Sequence, residues 1–358
     1  MNGCLNLCTV ISSPGQPNRA QNSYDKMLLF ATIFVTLAVA SFASSQLAVV
    51  RQDLNLTGFI EKVDLSNGMV VNQSAQEFVF SWPHAEMTSD SNTADIYVVT
   101  FPEEYPGPVL YHMDHNLNMI YSWVNTPFTF FDLQYSPEQS AMYGILVTTT
   151  YGRVLSNFTL DQANDEITTS ELYTLPYMWY VNASSFDPEN SRYFALINNF
   201  PGFENSTLDQ QLVVADFSKD ASQVPPQVGL FPIASQNMLV QFVTYSQSLR
   251  TLFCAGTTSA GTADVAIMDQ ESGTVTKRIF SKAATAVGPL MFVPNGAGQN
   301  ELTVYIQTTT QPAPVWELWA LSLQRDGANQ AAAVESTRLV STYTGSDYKF
   351  FVNAAVTK

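Results

Sequence analysis

Reactive side chains are sparse in this chain, and the densest group of them is His112, Asp114 and His115. Two imidazoles and a carboxylate within four positions could bind a metal or exchange protons. On a strand, successive side chains alternate between faces, so His112 and Asp114 share one face and His115 falls in the loop beyond. The spacing therefore does not bring the three together, and Asp114 sits where the chain repeatedly places an aspartate, which makes a structural turn its plainer role. His84 is the remaining histidine. Cys254 lies in the apolar run Thr251-Leu-Phe-Cys-Ala, whose flanks predict a buried and inert thiol. No Gly-x-Ser-x-Gly elbow, phosphate-binding glycine loop or paired-cysteine metal motif occurs.

A second set is polar without being strongly acidic. Aligning three segments on the aromatic residue before a turn (Tyr135, Phe186, Tyr245) puts Phe131, Asn182 and Gln241 in register. Asn353 joins them because YKFFVNAAV (348–356) matches YMWYVNASS (177–185). Carboxamides both donate and accept, so Asn182, Gln241 and Asn353, with Asp132 beside the fourth position, could line a channel holding water, a cation or a sugar-like ligand. The plainer alternative is a solvated lining without a ligand. A calcium ion (Ca2+) would draw on Asp132, Asn182 and Asn353, but no glutamate stands at a matching position, and no other cofactor is expected.

The elements that must carry these residues are hairpins. VAIMDQESGTVTKRIF (265–280) reads as two strands joined by a link from Asp269 to Gly273, where glycine supplies positive φ. The same pattern recurs at Asp64 and Gly68, Asp114 and Asn118, Asp161 and Asp165, Asp216 and Asp220, and Leu323 and Gly327. Its anchors are 50, 47, 55, 53 and 54 residues apart. A period of about 50 residues built only of strands is that of a propeller blade, one four-stranded sheet per repeat. Inner strand pairs precede the hairpins, joined by Ser136-Pro-Glu-Gln-Ser and Asp187-Pro-Glu-Asn-Ser and, in later repeats, by the unrelated Tyr245-Ser-Gln-Ser-Leu-Arg and Pro294-Asn-Gly-Ala-Gly-Gln-Asn. Consecutive apolar residues such as Leu212-Val-Val-Ala fit strands covered on both faces.

The fold expected is an all-β, six-bladed propeller over residues 46–358, closed by joining the C-terminal strand to Leu47-Ala-Val-Val and Gly58-Phe-Ile in one mixed blade. Seven blades is the alternative, with the extra blade hidden in residues 72–108, where the strand pattern is poorest. These hairpins resemble the repeats of quinoprotein-like and related secreted β-propellers. The resemblance is one of superfold and implies no activity. Sialidase-type S-x-D-x-G-x-T-W boxes, Gly-His and Trp-Asp marks and a quinone-cofactor cage are all missing.

Composition bounds the partners. A net charge of −16 disfavours nucleic acid and anionic membrane surfaces, which require a basic face. Residues 27–43 form an uncharged apolar run after Lys26, read as a signal peptide spanning 27–45 or, alternatively, a retained membrane anchor. Residues 1–26 read as an unstructured lead-in or a mis-assigned start. Sequons at Asn55, Asn72, Asn157, Asn182 and Asn205 fit a secreted or luminal glycoprotein, and Asn182 would stay unmodified if it points into a channel. The expected function is a non-catalytic binding module for a protein or carbohydrate partner. The alternatives are a calcium-dependent lactonase or esterase with its site in the channel, and a membrane-tethered scaffold.

Overall fold

The computed structural model describes residues 46–52, 57–79, 86–90, 92–102, 105, 107–124, 129–136, 139–147, 152–175, 179–199, 210–217, 227–235, 237–294, 300–309, 314–326, 331–344 and 350–357. The segments 1–26 and 27–45 read from the sequence lie outside that set. Within it the chain is all-β. Blade one holds β1 (Gln46–Gln52), β2 (Thr57–Asp64), β3 (Val70–Gln73) and the short β4 (Phe78–Val79), which also pairs with β2. Blade two holds β5 (Glu86–Ser89), β6 (Ile96–Thr100), β7 (Val109–Met113) and β8 (Met119–Trp123). Blade three follows with β9 (Thr129–Ser136), β10 (Ala141–Val147), β11 (Arg153–Asp161) and β12 (Glu166–Thr174). In blade four are β13 (Trp179–Asp187), β14 (Arg192–Asn199), β15 (Gln210–Asp216) and β16 (Gln227–Pro232). Blade five comprises β17 (Met238–Ser246), β18 (Thr251–Thr258), β19 (Thr262–Met268) and β20 (Val275–Ala283). Blade six has β21 (Ala286–Pro294), β22 (Asn300–Thr309), β23 (Val315–Asp326) and β24 (Ala331–Thr344). The last strand, β25 (Phe350–Thr357), pairs antiparallel with β1 and becomes the innermost strand of blade one.

Six blades therefore close by strand exchange between the termini, as the sequence predicts, and the seven-blade alternative fails. Residues 72–108 instead contribute the end of β3, β4 and the inner pair of blade two. The innermost strands touch in a closed circuit, β25 on β5, β5 on β9, and so on through β13 and β17 to β21, which returns to β25. Each seam between blades has its own apolar cluster. On β1, Ala48 and Val50 pack toward blade two, and Leu47 and Val49 toward blade six. On β14, Ala195 and Ile197 join blade three while Phe194 and Leu196 join blade five. Strand alternation is intact, but both faces are buried, so the sequence shows runs instead of alternation.

The turns repeat one geometry. Asp64, Asp114, Asp161 and Asp269 each accept the backbone N–H two residues on, through Oδ1, at 2.7, 2.8, 2.9 and 3.1 Å. Such Asx contacts replace the missing strand ladder at the turn. Positive φ follows four residues after the anchor at Gly68, Asp165 and Gly273. In the Asp114 turn it falls on Leu117, at φ 65, and Asn118 donates both its backbone and its side-chain amide to the aspartate. Gly68 also packs so closely on Val340 and Ser341 that a Cβ there would overlap the Val340 carbonyl. Asp216 pairs with Arg192 at 3.6 Å, and its turn partner Asp220 lies outside the described residues. The blade-six anchor needs correction: Leu323 is inside β23, opposite Asn300 and Val334, because this strand pair continues to Asp326. Gly327 is outside the described residues.

Candidate functional site

The innermost strands that circle the channel share an irregularity. Between Val181 and Ala183, Asn182 is an extra residue against the Leu196–Ile197 step of β14, and Gln241 is extra against Ala255–Gly256 of β18. The register of β25 shifts likewise between Phe351 and Ala354, where Asn353 lies, and that of β21 at Gly288-Pro289. On β9 the shift falls on Asp132 and Leu133, opposite Gly144. Five inner strands thus carry a β-bulge at one level, and the four polar residues expected in the channel all stand at one. A bulge frees a residue from the ladder and bends the strand. It also dictates small neighbours: a Cβ on Gly256 would overlap the Leu239 carbonyl, and one on Gly288 would lie 2.9 Å from Tyr305 Cβ. The side chains of Asn182 and Asn353 lie outside the described residues, so the structure gives those two by strand position.

Asp132 is the most perturbed member. Its backbone adopts φ 53, and its residue is only 8% exposed. Desolvation, which penalises the charged form, pushes its carboxyl up to about 7. Its carbonyl accepts hydrogen bonds from Ser184 Oγ at 2.9 Å and from the buried Tyr193 hydroxyl at 3.0 Å, tying the bulge of blade three to blade four. Gln134 Nε2 reinforces that seam by donating to Ser184 Oγ at 3.1 Å.

Gln241 is part-buried and accepts from Thr257 Oγ1 at 3.3 Å on the adjacent strand. Its neighbour Val240 is held from the next blade by a residue that sequence reasoning passed over. Gln210, on β15, accepts the Val240 N–H at 2.9 Å and donates to the Val240 carbonyl at 2.7 Å and to Asn198 Oδ1 at 2.9 Å. One buried carboxamide thus satisfies both main-chain groups that precede the bulge.

Comparison with known proteins bears on the fold alone. No protein-family profile matches the chain, and no curated protein is similar to it in sequence. Among solved structures, TolB from Acinetobacter baumannii is similar with a TM-score of 0.53 and 14% identity, over 96% of this chain and 74% of TolB. The periplasmic gluconolactonase PpgL of Pseudomonas aeruginosa gives a TM-score of 0.49 and 8% identity, over 88% of this chain and 99% of that one. The likeness to TolB is one of fold.

The other reactive residues are consumed by architecture. His112 does not meet Asp114, which lies past the end of β7. Its Nε2 is 3.0 Å from Asp95 Oδ2 and its Nδ1 is 3.2 Å from Gln162 Nε2, so the ring holding its proton on Nε2 donates to the carboxylate and accepts from the amide. Tyr97 stacks on the same ring at 4.6 Å. This latch joins blades two and three. His115 is an exposed turn residue bonded to Asn116, and His84 lies outside the described residues. Cys254 is fully buried, which pushes its thiol up to about 12. Among the described residues no group of three His, Cys, Asp or Glu side chains converges as a metal site would require. Of the sequons, Asn72 donates to the Asn116 carbonyl at 2.6 Å and Asn157 is part-buried on β11, while Asn55 and Asn205 lie outside the described residues.

Proposed function

We propose that this chain is a secreted or luminal, non-catalytic binding propeller that holds a polar, hydrogen-bonding group of a protein or carbohydrate partner at its central channel. The observation carrying this reading is the belt of bulges, which sets residues of amide chemistry at one level of the inner strands. Amides pair with hydroxyls and with peptide groups alike. The commitment of His112 and Cys254 to buried contacts supports a binding role over a reaction, and the apolar run 27–43 supports the compartment. Retention of that run would make the protein a membrane-tethered scaffold, which N-terminal sequencing of released material decides.

Saturation-transfer NMR against neutral mono- and disaccharides and capped dipeptide amides tests the channel. Binding by one class should vanish in Gln241→Leu while the melting temperature holds. No transfer from either class would count against the proposal.

Asp132 favours the competing calcium-dependent hydrolase, since it is a buried carboxylate in the belt. The donor set fits calcium poorly. Calcium takes six to eight oxygens and relies on several carboxylates, whereas this belt offers one, Asp132. A melting temperature that rises with calcium and falls with chelator would reinstate that reading.

A further inference from the structure

The outer rim of blades one and two differs from that of blades three and five, and among the described residues blade six shows a single exposed aliphatic residue there, Leu339. On β12 the exposed positions are Glu166, Thr168, Ser170, Glu171 and Thr174, and on β20 they include Thr276, Lys277 and Arg278. On blade one, by contrast, Met69, Val70 and Val71 are 65%, 38% and 49% exposed, and on blade two Met119 and Ile120 are each 47% exposed. Single exposed apolar residues are ordinary, but five on the edges of adjacent blades form a patch that marks an interaction surface. The two edges are fastened together: Asn72 Nδ2 and Lys62 Nζ each reach a carbonyl of the blade-two turn, at Asn116 and His115, at 2.6 Å. Among the described residues β3 and β8 are outermost and paired on one side only, so each presents a backbone edge.

The surroundings are acidic. Asp64 and Asp114 sit in the two turns beside the patch, and Asp161 and Asp165 follow on blade three, where Asp165 accepts from Tyr121. The nearby cations are already engaged: Lys62 is buried against His115, and Arg338 reaches the Leu65 carbonyl and, at 3.0 Å, Glu301. A second copy of this chain would bring another net charge of −16 against the same acids.

We propose that the β3 and β8 edges dock an extended segment of another protein in which apolar and basic residues alternate, the apolar side chains covering Met69–Val71 and Met119–Ile120 and the basic ones meeting the turn aspartates. Strand addition of this kind draws affinity from main-chain hydrogen bonds and specificity from alternate side chains. The surface is on the outer rim, so it stands independently of the channel reading.

Fluorescence anisotropy of the labelled peptide VKVKVKVK against the full chain provides the test, with VEVEVEVE as the control. Saturable binding of the basic peptide alone is expected, weakening several-fold between low and physiological salt. Val70→Glu and Ile120→Glu should each weaken it about tenfold, as expected for losing one buried aliphatic contact. Thr168→Glu on β12 should not, and all three should keep the wild-type melting temperature within a few degrees. Equal binding of the two peptides, no binding of either, or full binding by both glutamate variants would overturn the proposal. So would a dimer in light scattering that Val70→Glu disperses, or a glycan on Asn72, which would occupy the edge.

Discussion

Replacing Gln210 with methionine removes three buried hydrogen bonds while nearly preserving volume. Gln210 is 9% exposed and serves the N–H and C=O of Val240 and the amide of Asn198. In the variant the two Val240 groups stay buried at the seam between blades four and five without the partner that serves them. Each buried polar group left unsatisfied costs about 1–3 kcal/mol, so two of them, with some relaxation, give a loss of about 3–5 kcal/mol. A domain of roughly 300 residues has an unfolding entropy of about 0.6 kcal/mol/K, which converts that loss into a drop in melting temperature of about 5–8 °C. Differential scanning calorimetry reads it directly. Gln241→Met is the matched control, because it loses a single 3.3 Å contact and should fall by no more than about 2 °C. A Gln210→Met protein melting with wild type would show that the clasp contributes nothing net, and the claim that inter-blade carboxamides hold the bulges would fail with it.

Other perturbations reach different parts of the ring. Asp132, raised from 3.8 to about 7 by burial, binds its proton more tightly folded than unfolded, so stability is fully present at low pH and declines between about pH 4 and 7. The decline should approach about 4 kcal/mol and vanish in Asp132→Asn, and a flat profile of melting against pH would refute it. Cys254, with its thiol pushed up to about 12, should resist iodoacetamide at pH 8 in the native protein and react stoichiometrically in guanidinium, and native labelling within minutes would contradict its burial. Deleting 348–358 strips β25 from β1 and should yield insoluble or unfolded protein, whereas an unchanged melting temperature would show the ring is held otherwise. Ala94, at φ 63 in the inner turn of blade two, should gain about 0.5–1 kcal/mol as glycine, scored by urea midpoint, and a loss would mean its methyl packing outweighs the strain.

The inner and outer turns explain why the blades were legible in the sequence and the contacts that hold the bulges were not. Outer hairpins announce themselves because Asp64, Asp161 and Asp269 are followed by Gly68, Asp165 and Gly273, residue types suited to positive φ. The inner turns use the same spacing with Asp90, Ser136, Asp187 and Ser246, but positive φ falls on Ala94, Ser140, Ser191 and Arg250. Those residue types give no such signal, so the Ser246 copy reads as an unrelated turn and the Asp90 copy leaves residues 72–108 without a pattern. The channel belt is subtler still. Asn182, Gln241 and Asn353 keep their mutual register along the sequence because a bulge adds one residue at the same place in each of their strands. Gly288-Pro289, the bulge of blade six, carries no polar side chain and could not be found that way. Gln210 is invisible for a different reason: it acts across a seam on a main chain 30 residues away, and nothing in local pattern marks a residue whose partner is a backbone group. A fold repeated six times can be read from turn chemistry, because that chemistry is local; the bulges are held by contact between repeats, through Gln210 at the seam of blades four and five and through Ser184 and Tyr193 at that of blades three and four.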